Sequence, residues 1–234
     1  MREGAASSAP SSKMSGSPEL ALYTYFRSSA VFRVRIALNL KGLKPELHPI
    51  HLLKEGGQQH SDAYKQLNPQ QLVPCLVSDG HAIGQSLAII EYLDEIKPEP
   101  ALMPKDAKGK ARVRQIALGV ACDIHPLPNL RVLQYLKKTF GADDAALLEW
   151  QRHWIGEGLA ALEQLLANDR SRGKFCHGDH PTLADICLIP QLYNAKHRVQ
   201  MDTSAYPTLL RIEEAAYKLP AFVAARPENQ PDAE

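Results

Sequence analysis

The segment YFRSSAVFRVRIAL, residues 25–38, decides the fold because it marks a junction between a strand and a helix near the start of the chain. The apolar residues 20–25 lead into it and predict a short buried strand. Ser28 or Ser29 is a suitable N-cap, and a glycine follows Lys41 as a suitable stop. We therefore predict a helix from Ser29 to Lys41.

Strand and helix signals continue to alternate beyond this helix. We predict strands at 46–52, 73–77 and 81–83 and helices at 61–67 and 87–96. Asp79-Gly80 is a strong signal for a two-residue hairpin, and Ser86 is a suitable N-cap for the last of these helices. The order β-α-β-α-β-β-α predicts a mixed four-stranded sheet with flanking helices.

Strand signals nearly vanish after a proline-rich segment at 98–105, which we interpret as a linker. Apolar residues then recur at helical spacing, for example between Leu148 and Leu166. Pro126 and Pro128 should interrupt the first helical region. The fold class is therefore α/β plus all-α.

The chain divides into five segments on this interpretation. We predict a disordered tail at 1–18, an α/β domain at 19–97, the linker at 98–105, an all-α domain at 106–226 and a second tail at 227–234. Within the all-α domain, Thr182 and Asp185 have the spacing of a capping box at the start of a helix.

Charge and cysteine content exclude several classes of function. The net charge of +1 gives no global basic field for nucleic acid or an acidic membrane. The cysteines are Cys75, Cys122, Cys176 and Cys187, and they lack the spacing of zinc ligands. They predict buried, reduced thiols in a compartment such as the cytoplasm, and no metal site. No run approaches the roughly 18 apolar residues of a membrane helix.

The pair Ser28-Ser29 has two interpretations. The first is an ordinary N-cap, and the second is a site for a ligand thiolate at the positive end of a helix. Lowering a thiol pKa from about 8.5 by roughly 2 units requires about 3 kcal/mol. The helix end supplies about 0.3–1 kcal/mol and a hydroxyl hydrogen bond to a charged partner about 1.5–3 kcal/mol. The serine hydroxyl should therefore contribute more.

Two dipeptides later in the α/β domain also allow both a structural and a functional role. Pro74 is either an edge-strand proline or the cis-proline of a loop in which the backbone of Val73 pairs with an extended peptide ligand. Gln85-Ser86 is either another helix cap or a binding site for a ligand carboxylate.

The basic side chains around the first helix differ in their expected roles. Arg27 precedes the serine pair, where its guanidinium is suited to bind a substrate carboxylate through two hydrogen bonds. We expect Arg33 and Arg35 to be solvated. A lone histidine such as His125 is more often structural than catalytic.

These residues together resemble the zeta class of glutathione transferases, from about Leu20 to Phe222. The most specific part is the segment 25–38, and supporting segments are KEGGQQ at 54–59, LNP at 67–69, QSLAIIEYL at 85–93 and TLAD at 182–185. The resemblance implies a thioredoxin-like N-terminal domain, an all-helical C-terminal domain and a homodimer.

The resemblance also implies which residues bind glutathione. They are Ser28, Ser29, Ala30, Val31, Phe32, Arg33, Gln59, Val73, Pro74, Gln85, Ser86, His125, Asn129, Leu130 and Arg131. Arg27 and Arg198 would bind the substrate, although Arg198 lies in a segment that is shifted against the class pattern. Ala30 replaces the usual cysteine of the class, and Phe32 replaces the usual tryptophan. Ala30 is compatible with activity because the implied chemistry uses the thiol of glutathione.

The implied activity is glutathione-dependent cis-trans isomerisation of a diacid, maleylacetoacetate, to fumarylacetoacetate in tyrosine and phenylalanine catabolism. Ser28, Ser29 and Arg27 would be the catalytic residues. Three alternatives remain open: isomerisation of the shorter diacid maleylpyruvate, general glutathione transfer, and glutathione binding without catalysis. The presence of both serines and of Arg27 argues against the last.

Overall fold

The computed structural model describes residues 18–234 and shows a four-stranded sheet with helices, followed by a helical domain. Apart from Pro18, the predicted tail at 1–18 lies outside the described residues. No helix within the described range is long and apolar enough to cross a membrane.

The sheet has the predicted mixed topology. Its strands are β1 (Leu20–Thr24), β2 (Glu46–Pro49), β3 (Cys75–Ser78) and β4 (His81–Gly84), in the spatial order β2-β1-β3-β4. β1 is parallel to β2 and antiparallel to β3, and β3 is antiparallel to β4. The predicted third strand starts two residues late, because Pro74 has no N–H to donate to the ladder. Positive φ angles at Asp79 and Gly80 confirm the hairpin turn.

Three helices accompany the sheet: α1 (Ser29–Lys41), α2 (Asp62–Leu67) and α3 (Ser86–Ile96). Ser28 is the N-cap of α1, since its side chain accepts a hydrogen bond from the N–H of Val31, and Gly42 ends the helix with a φ of 62°. The N-cap of α3 is Gln85, so the prediction of Ser86 as that cap was wrong by one residue.

The helical domain follows the segment 97–106, which contains neither helix nor strand. Its helices are α4 (Ala107–Leu118), α5 (Leu130–Phe140), α6 (Asp144–Ala167), α7 (Leu183–Tyr193), α8 (Pro207–Tyr217) and α9 (Pro220–Ala224). A π-helical segment, Gly119–Ile124, and a turn containing Pro126 and Pro128 separate α4 from α5. The predicted capping box between Thr182 and Asp185 starts α7.

Helix α1 is buried from Val31 to Leu38 because α3 packs against it, as do α7 and α9 of the helical domain. Arg33 and Arg35 are consequently only 2% and 5% exposed, so the expectation that they are solvated was wrong. Arg35 donates to the carbonyls of Phe26 and Ala225, both at 3.0 Å, and so joins the start of α1 to the end of the helical domain.

The linker is fixed to α1 by a buried cation. The ammonium group of Lys41 lies 2.5 Å from a carboxylate oxygen of Asp94 and donates to the carbonyls of Pro98 and Pro100. This contact fixes where the chain passes from one domain to the other. A cleft lies between the two domains.

Candidate active site

The cleft has a volume of about 650 Å³ and is lined by both domains. That volume is within the usual range for small-molecule sites. Ten of the predicted site residues line it: Arg27, Ser28, Ser29, Gln59, Val73, His125, Asn129, Leu130, Arg131 and Arg198. No group of three His, Cys, Asp or Glu side chains in residues 18–234 is arranged to hold a metal ion.

The first turn of α1 forms one wall of the cleft. Ser28 Oγ accepts the N–H of Val31 at 3.3 Å, which leaves its own proton free to donate. Ser29 is the first residue of α1, where backbone N–H groups and partial positive charge face the cleft. Both serine hydroxyls can therefore donate to a ligand anion.

The loop before β3 supplies a free backbone edge. The Val73-Pro74 peptide bond is cis, as the second interpretation of Pro74 required. Within the described chain, neither the N–H nor the carbonyl of Val73 has a hydrogen-bond partner. An extended peptide ligand can pair with both groups.

Gln59 and Gln85 differ in how close they lie to the cleft. Gln59 is 7% exposed and lines the cleft, and its Oε1 has no partner among residues 18–234. A buried acceptor without a donor is unfavourable, so a ligand N–H would satisfy it. Gln85 lies beside the cleft, where its side chain donates to Gln70 at 2.8 Å, and its φ of 65° is unusual for a residue other than glycine.

Two arginines from opposite domains approach each other in the cleft. Arg27 precedes α1, and Arg198 ends a second π-helical segment, Asn194–Arg198. The pKa of Arg198 is lowered by removal from water and then by the positive charge of Arg27. Burial raises the pKa of the Tyr25 hydroxyl, and the charges of both arginines oppose that rise. Neither arginine forms an ion pair within the described residues. This pair is suited to bind a ligand with two carboxylates.

His125 faces the same cleft from the turn after the first π-helical segment. Burial first, and then the positive charges of Arg33 and Arg198, lower its pKa to about 3. The imidazole is therefore neutral near pH 7, and it serves as a hydrogen-bonding group rather than as a cation.

Seven predicted site residues do not line the cleft. They are Ala30, Val31, Phe32, Arg33, Pro74, Gln85 and Ser86. Val31 and Phe32 are buried because they pack in the interior around α1, and Phe32 contacts Tyr193 edge-on. Ser86 is 5% exposed and accepts a hydrogen bond from Arg33. Direct ligand contact by these residues stays a prediction.

One side of the cleft that was not predicted from the sequence is the segment 226–234, which we call the carboxyl-terminal strap. Residues 227–234 were predicted to be a tail, but they begin with the 3-10 helix Pro227–Asn229 and cross from one domain to the other. Asp232 accepts the N–H of Phe26 at 2.9 Å, and Glu234 forms ion pairs with His51 and Lys54. These contacts join residues that are far apart in sequence, so no local pattern reveals them.

The strap is anchored to the helical domain by aromatic and charged contacts. The guanidinium of Arg226 lies over the rings of Tyr193 and Tyr217, at 5.8 and 5.3 Å from their centroids. Glu228 accepts the hydroxyl of Tyr193 at 2.9 Å. Other cleft residues that were not predicted include Tyr193, Asn194 and His197, which lie at the end of α7 and just beyond it.

Comparison with known families agrees with this geometry. The N-terminal domain of glutathione S-transferases matches residues 22–101, and the C-terminal domain of the same family matches residues 144–219. The chain belongs to the glutathione S-transferase family. The predicted fold, a thioredoxin-like domain with an all-helical domain, and the resemblance to the zeta class are thereby confirmed.

Individual members of the family are similar over nearly the whole chain. A probable maleylacetoacetate isomerase of Vibrio cholerae is 49% identical, over 92% of this chain and 98% of the relative. The holo structure of a bacterial zeta-class maleylpyruvate isomerase is 50% identical with a TM-score of 0.88, over 92% of this chain and all of that one. A maleylacetoacetate isomerase of Methylobacterium extorquens has been solved with malonate and glutathione. It is 41% identical with a TM-score of 0.88, over 92% of this chain and 99% of that one.

Proposed function

We propose that this transferase-family enzyme isomerises maleylacetoacetate to fumarylacetoacetate, with glutathione as its cofactor. The observation that carries the proposal is the pair Arg27 and Arg198, which face one cleft beside the serine-capped end of α1. The Vibrio cholerae relative supports the same reaction by its name, and the Methylobacterium extorquens relative holds glutathione together with a dicarboxylate.

The cleft fits glutathione at three points. The free backbone groups of Val73 match an extended tripeptide, and the unpartnered Oε1 of Gln59 matches a ligand N–H. The hydroxyls of Ser28 and Ser29 match a thiolate. When bound, glutathione supplies a nucleophile that converts the cis double bond into a rotatable single bond and is regenerated.

The protein's own residues would then have separate roles in binding the sulfur and the substrate. A serine hydroxyl donates a hydrogen bond that favours the ionised sulfur, and Arg27 and Arg198 hold the two carboxylates of the diacid at a fixed distance from it. Positive charge from Arg27 also stabilises negative charge that develops on the substrate. Neutral His125 can donate or accept one hydrogen bond without adding charge.

The closest alternative is maleylpyruvate isomerisation, which the 50% identical bacterial relative favours by its name. The deciding experiment is an absorbance assay with maleylacetoacetate and with maleylpyruvate, each with and without glutathione. We expect turnover only with glutathione, and a higher kcat/KM for maleylacetoacetate. Turnover without glutathione would overturn the mechanism, and a preference for the shorter diacid would establish the alternative.

Two further expectations belong to this proposal. A reducing compartment such as the cytoplasm suits four cysteines that are all unpaired in the described structure. We also expect a homodimer, as in the family, and sedimentation analysis of the purified protein tests it. A single monomeric species at micromolar concentration would contradict this expectation.

A further inference from the structure

Arg33 is a buried cation that forms no ion pair with any described residue. Its side chain extends from α1 and is 2% exposed. Its Nη1 donates to the hydroxyl oxygen of Ser86, the first residue of α3, at 3.3 Å. Among residues 18–234, Nε and Nη2 have no hydrogen-bond partner. Burial lowers its pKa, and in the part of the chain that the structure describes only the thiols of Cys187 and Cys122 oppose that shift.

A charge in this position costs free energy unless an anion compensates it. The described chain supplies no carboxylate to Arg33, and the N-terminus of α3 adds further partial positive charge at the same place. Two independent features, a helix N-terminus and an unpaired buried guanidinium, therefore favour an anionic ligand at Ser86.

The direction of the hydrogen bond determines what Ser86 can offer. A guanidinium only donates, so Ser86 Oγ must accept from Arg33, and the hydroxyl proton of Ser86 is free for another acceptor. Gln85, directly before it, has a positive φ of 65° and is exposed beside the cleft. A ligand carboxylate at this position would receive the Ser86 hydroxyl together with backbone N–H groups of α3.

We propose that Arg33 is a positioning residue for glutathione that acts through Ser86 rather than by touching the ligand. Its hydrogen bond orients the Ser86 hydroxyl, and its charge strengthens the binding of a glutathione carboxylate at Gln85-Ser86, the site that the sequence already predicts. This inference rests on the proposed function only in taking glutathione as the ligand.

Equilibrium binding measured by calorimetry tests the inference without turnover. The probes are glutathione, its analogue 4-aminobutanoyl-cysteinyl-glycine, which lacks the γ-glutamyl carboxylate, and glutathione amidated at the glycyl carboxylate. Arg33→Met should raise the Kd of glutathione about tenfold. For the analogue that lacks the carboxylate bound at Ser86, Arg33→Met should leave the Kd unchanged. For the other analogue, Arg33→Met should still raise the Kd about tenfold. An unchanged Kd, or an equal effect on all three probes, would overturn the proposal.

Thermal unfolding separates this role from a structural one. Because Arg33→Met removes an uncompensated buried charge and keeps the volume, the Tm should stay the same or rise while glutathione binds more weakly. A lower Tm with unchanged binding would assign Arg33 a structural role.

Two further variants keep the proposal falsifiable if Arg33→Met does not fold. Arg33→Lys retains the charge and should bind glutathione within a fewfold of the wild type, whereas Ser86→Ala should lose about tenfold. In the double variant the two losses should not add, because Arg33 acts through Ser86. Additive losses of glutathione affinity would contradict a role of Arg33 through Ser86. Failure of the wild type to bind glutathione would overturn the proposed function as well, whereas binding without isomerisation would overturn only the proposed function.

Discussion

The two walls of the cleft present different chemistry. The thioredoxin-like wall presents backbone groups and hydroxyls in regular structure, such as the start of α1 and the loop before β3. The helical wall presents charged and polar side chains, among them Arg131, His197 and Arg198, at the start of α5 and in the π-helical segment after α7. Under the proposed function, the first wall would hold the peptide cofactor by its backbone, and Arg198 on the second wall would help to select the substrate by its charge.

Substitution of Arg27 should have the largest effect and tests the contrast between the walls, because Arg27 belongs to the thioredoxin-like wall but faces Arg198. Arg27→Ala should lower kcat/KM for the diacid about 10–100-fold, the value of a lost charged hydrogen bond, and leave the Kd of glutathione nearly unchanged. Steady-state kinetics and calorimetry measure the two quantities separately. Arg198→Ala is the matched variant from the opposite wall and should show the same pattern. Equal losses in turnover and in glutathione binding would assign Arg27 to the cofactor instead.

The serine pair sharpens the role of the thioredoxin-like wall. The serine that contacts the sulfur should, when replaced by alanine, raise the thiol pKa of bound glutathione by about 1–2 units, as followed by thiolate absorbance. Ser28→Ala should also lower stability by about 1 kcal/mol because Ser28 is the N-cap of α1, whereas Ser29→Ala should not. If neither variant changes the thiol pKa, the hydroxyls do not activate the cofactor.

His125, on the helical wall, should make the stability of the folded protein depend on pH. Its pKa is about 3 in the folded protein, while the unfolded side chain takes up a proton near pH 6.5. The unfolded state therefore binds more protons between these values, and stability falls as the pH is lowered through that window. Urea unfolding at about pH 7.5 and pH 5 should show a smaller loss for His125→Gln than for the wild type. Equal losses would show that His125 is charged in the folded protein.

The smallest effect is expected at the carboxyl-terminal strap, which joins the two walls. Asp232→Ala removes the hydrogen bond to the N–H of Phe26 and should cost about 1 kcal/mol, or roughly 2–4 °C in Tm. Glu95→Ala is the control, because this exposed carboxylate forms no hydrogen bond or ion pair with another described residue. A Tm equal to that of the control would mean that the strap adds nothing to the junction between the domains.

The sequence was sufficient for features that depend on neighbouring residues. The cap of α1, the hairpin at Asp79-Gly80 and the capping box of Thr182 and Asp185 each need only a few consecutive positions. The cis bond before Pro74 remained one of two alternatives until the structure decided it. The thioredoxin-like wall could therefore be largely predicted.

The rest depends on contacts between distant parts of the chain. Arg33 and Arg35 look like surface residues of an amphipathic helix until the helical domain covers them. Asp232 and Phe26 are 206 positions apart, so no local signal marks the strap as part of the cleft. The π-helical segment that ends at Arg198 has no sequence pattern comparable to a cap or a hairpin.

Ala30 has a consequence for how long each enzyme molecule stays active. Electrophiles and oxidants destroy thiols, and a damaged glutathione dissociates and is exchanged, whereas a damaged cysteine in the cleft would inactivate the polypeptide. None of the four cysteines lines the cleft, and burial raises the thiol pKa of Cys75, Cys176 and Cys187. The reactive sulfur therefore belongs to an exchangeable molecule, and chemical damage to it consumes glutathione rather than inactivating the protein.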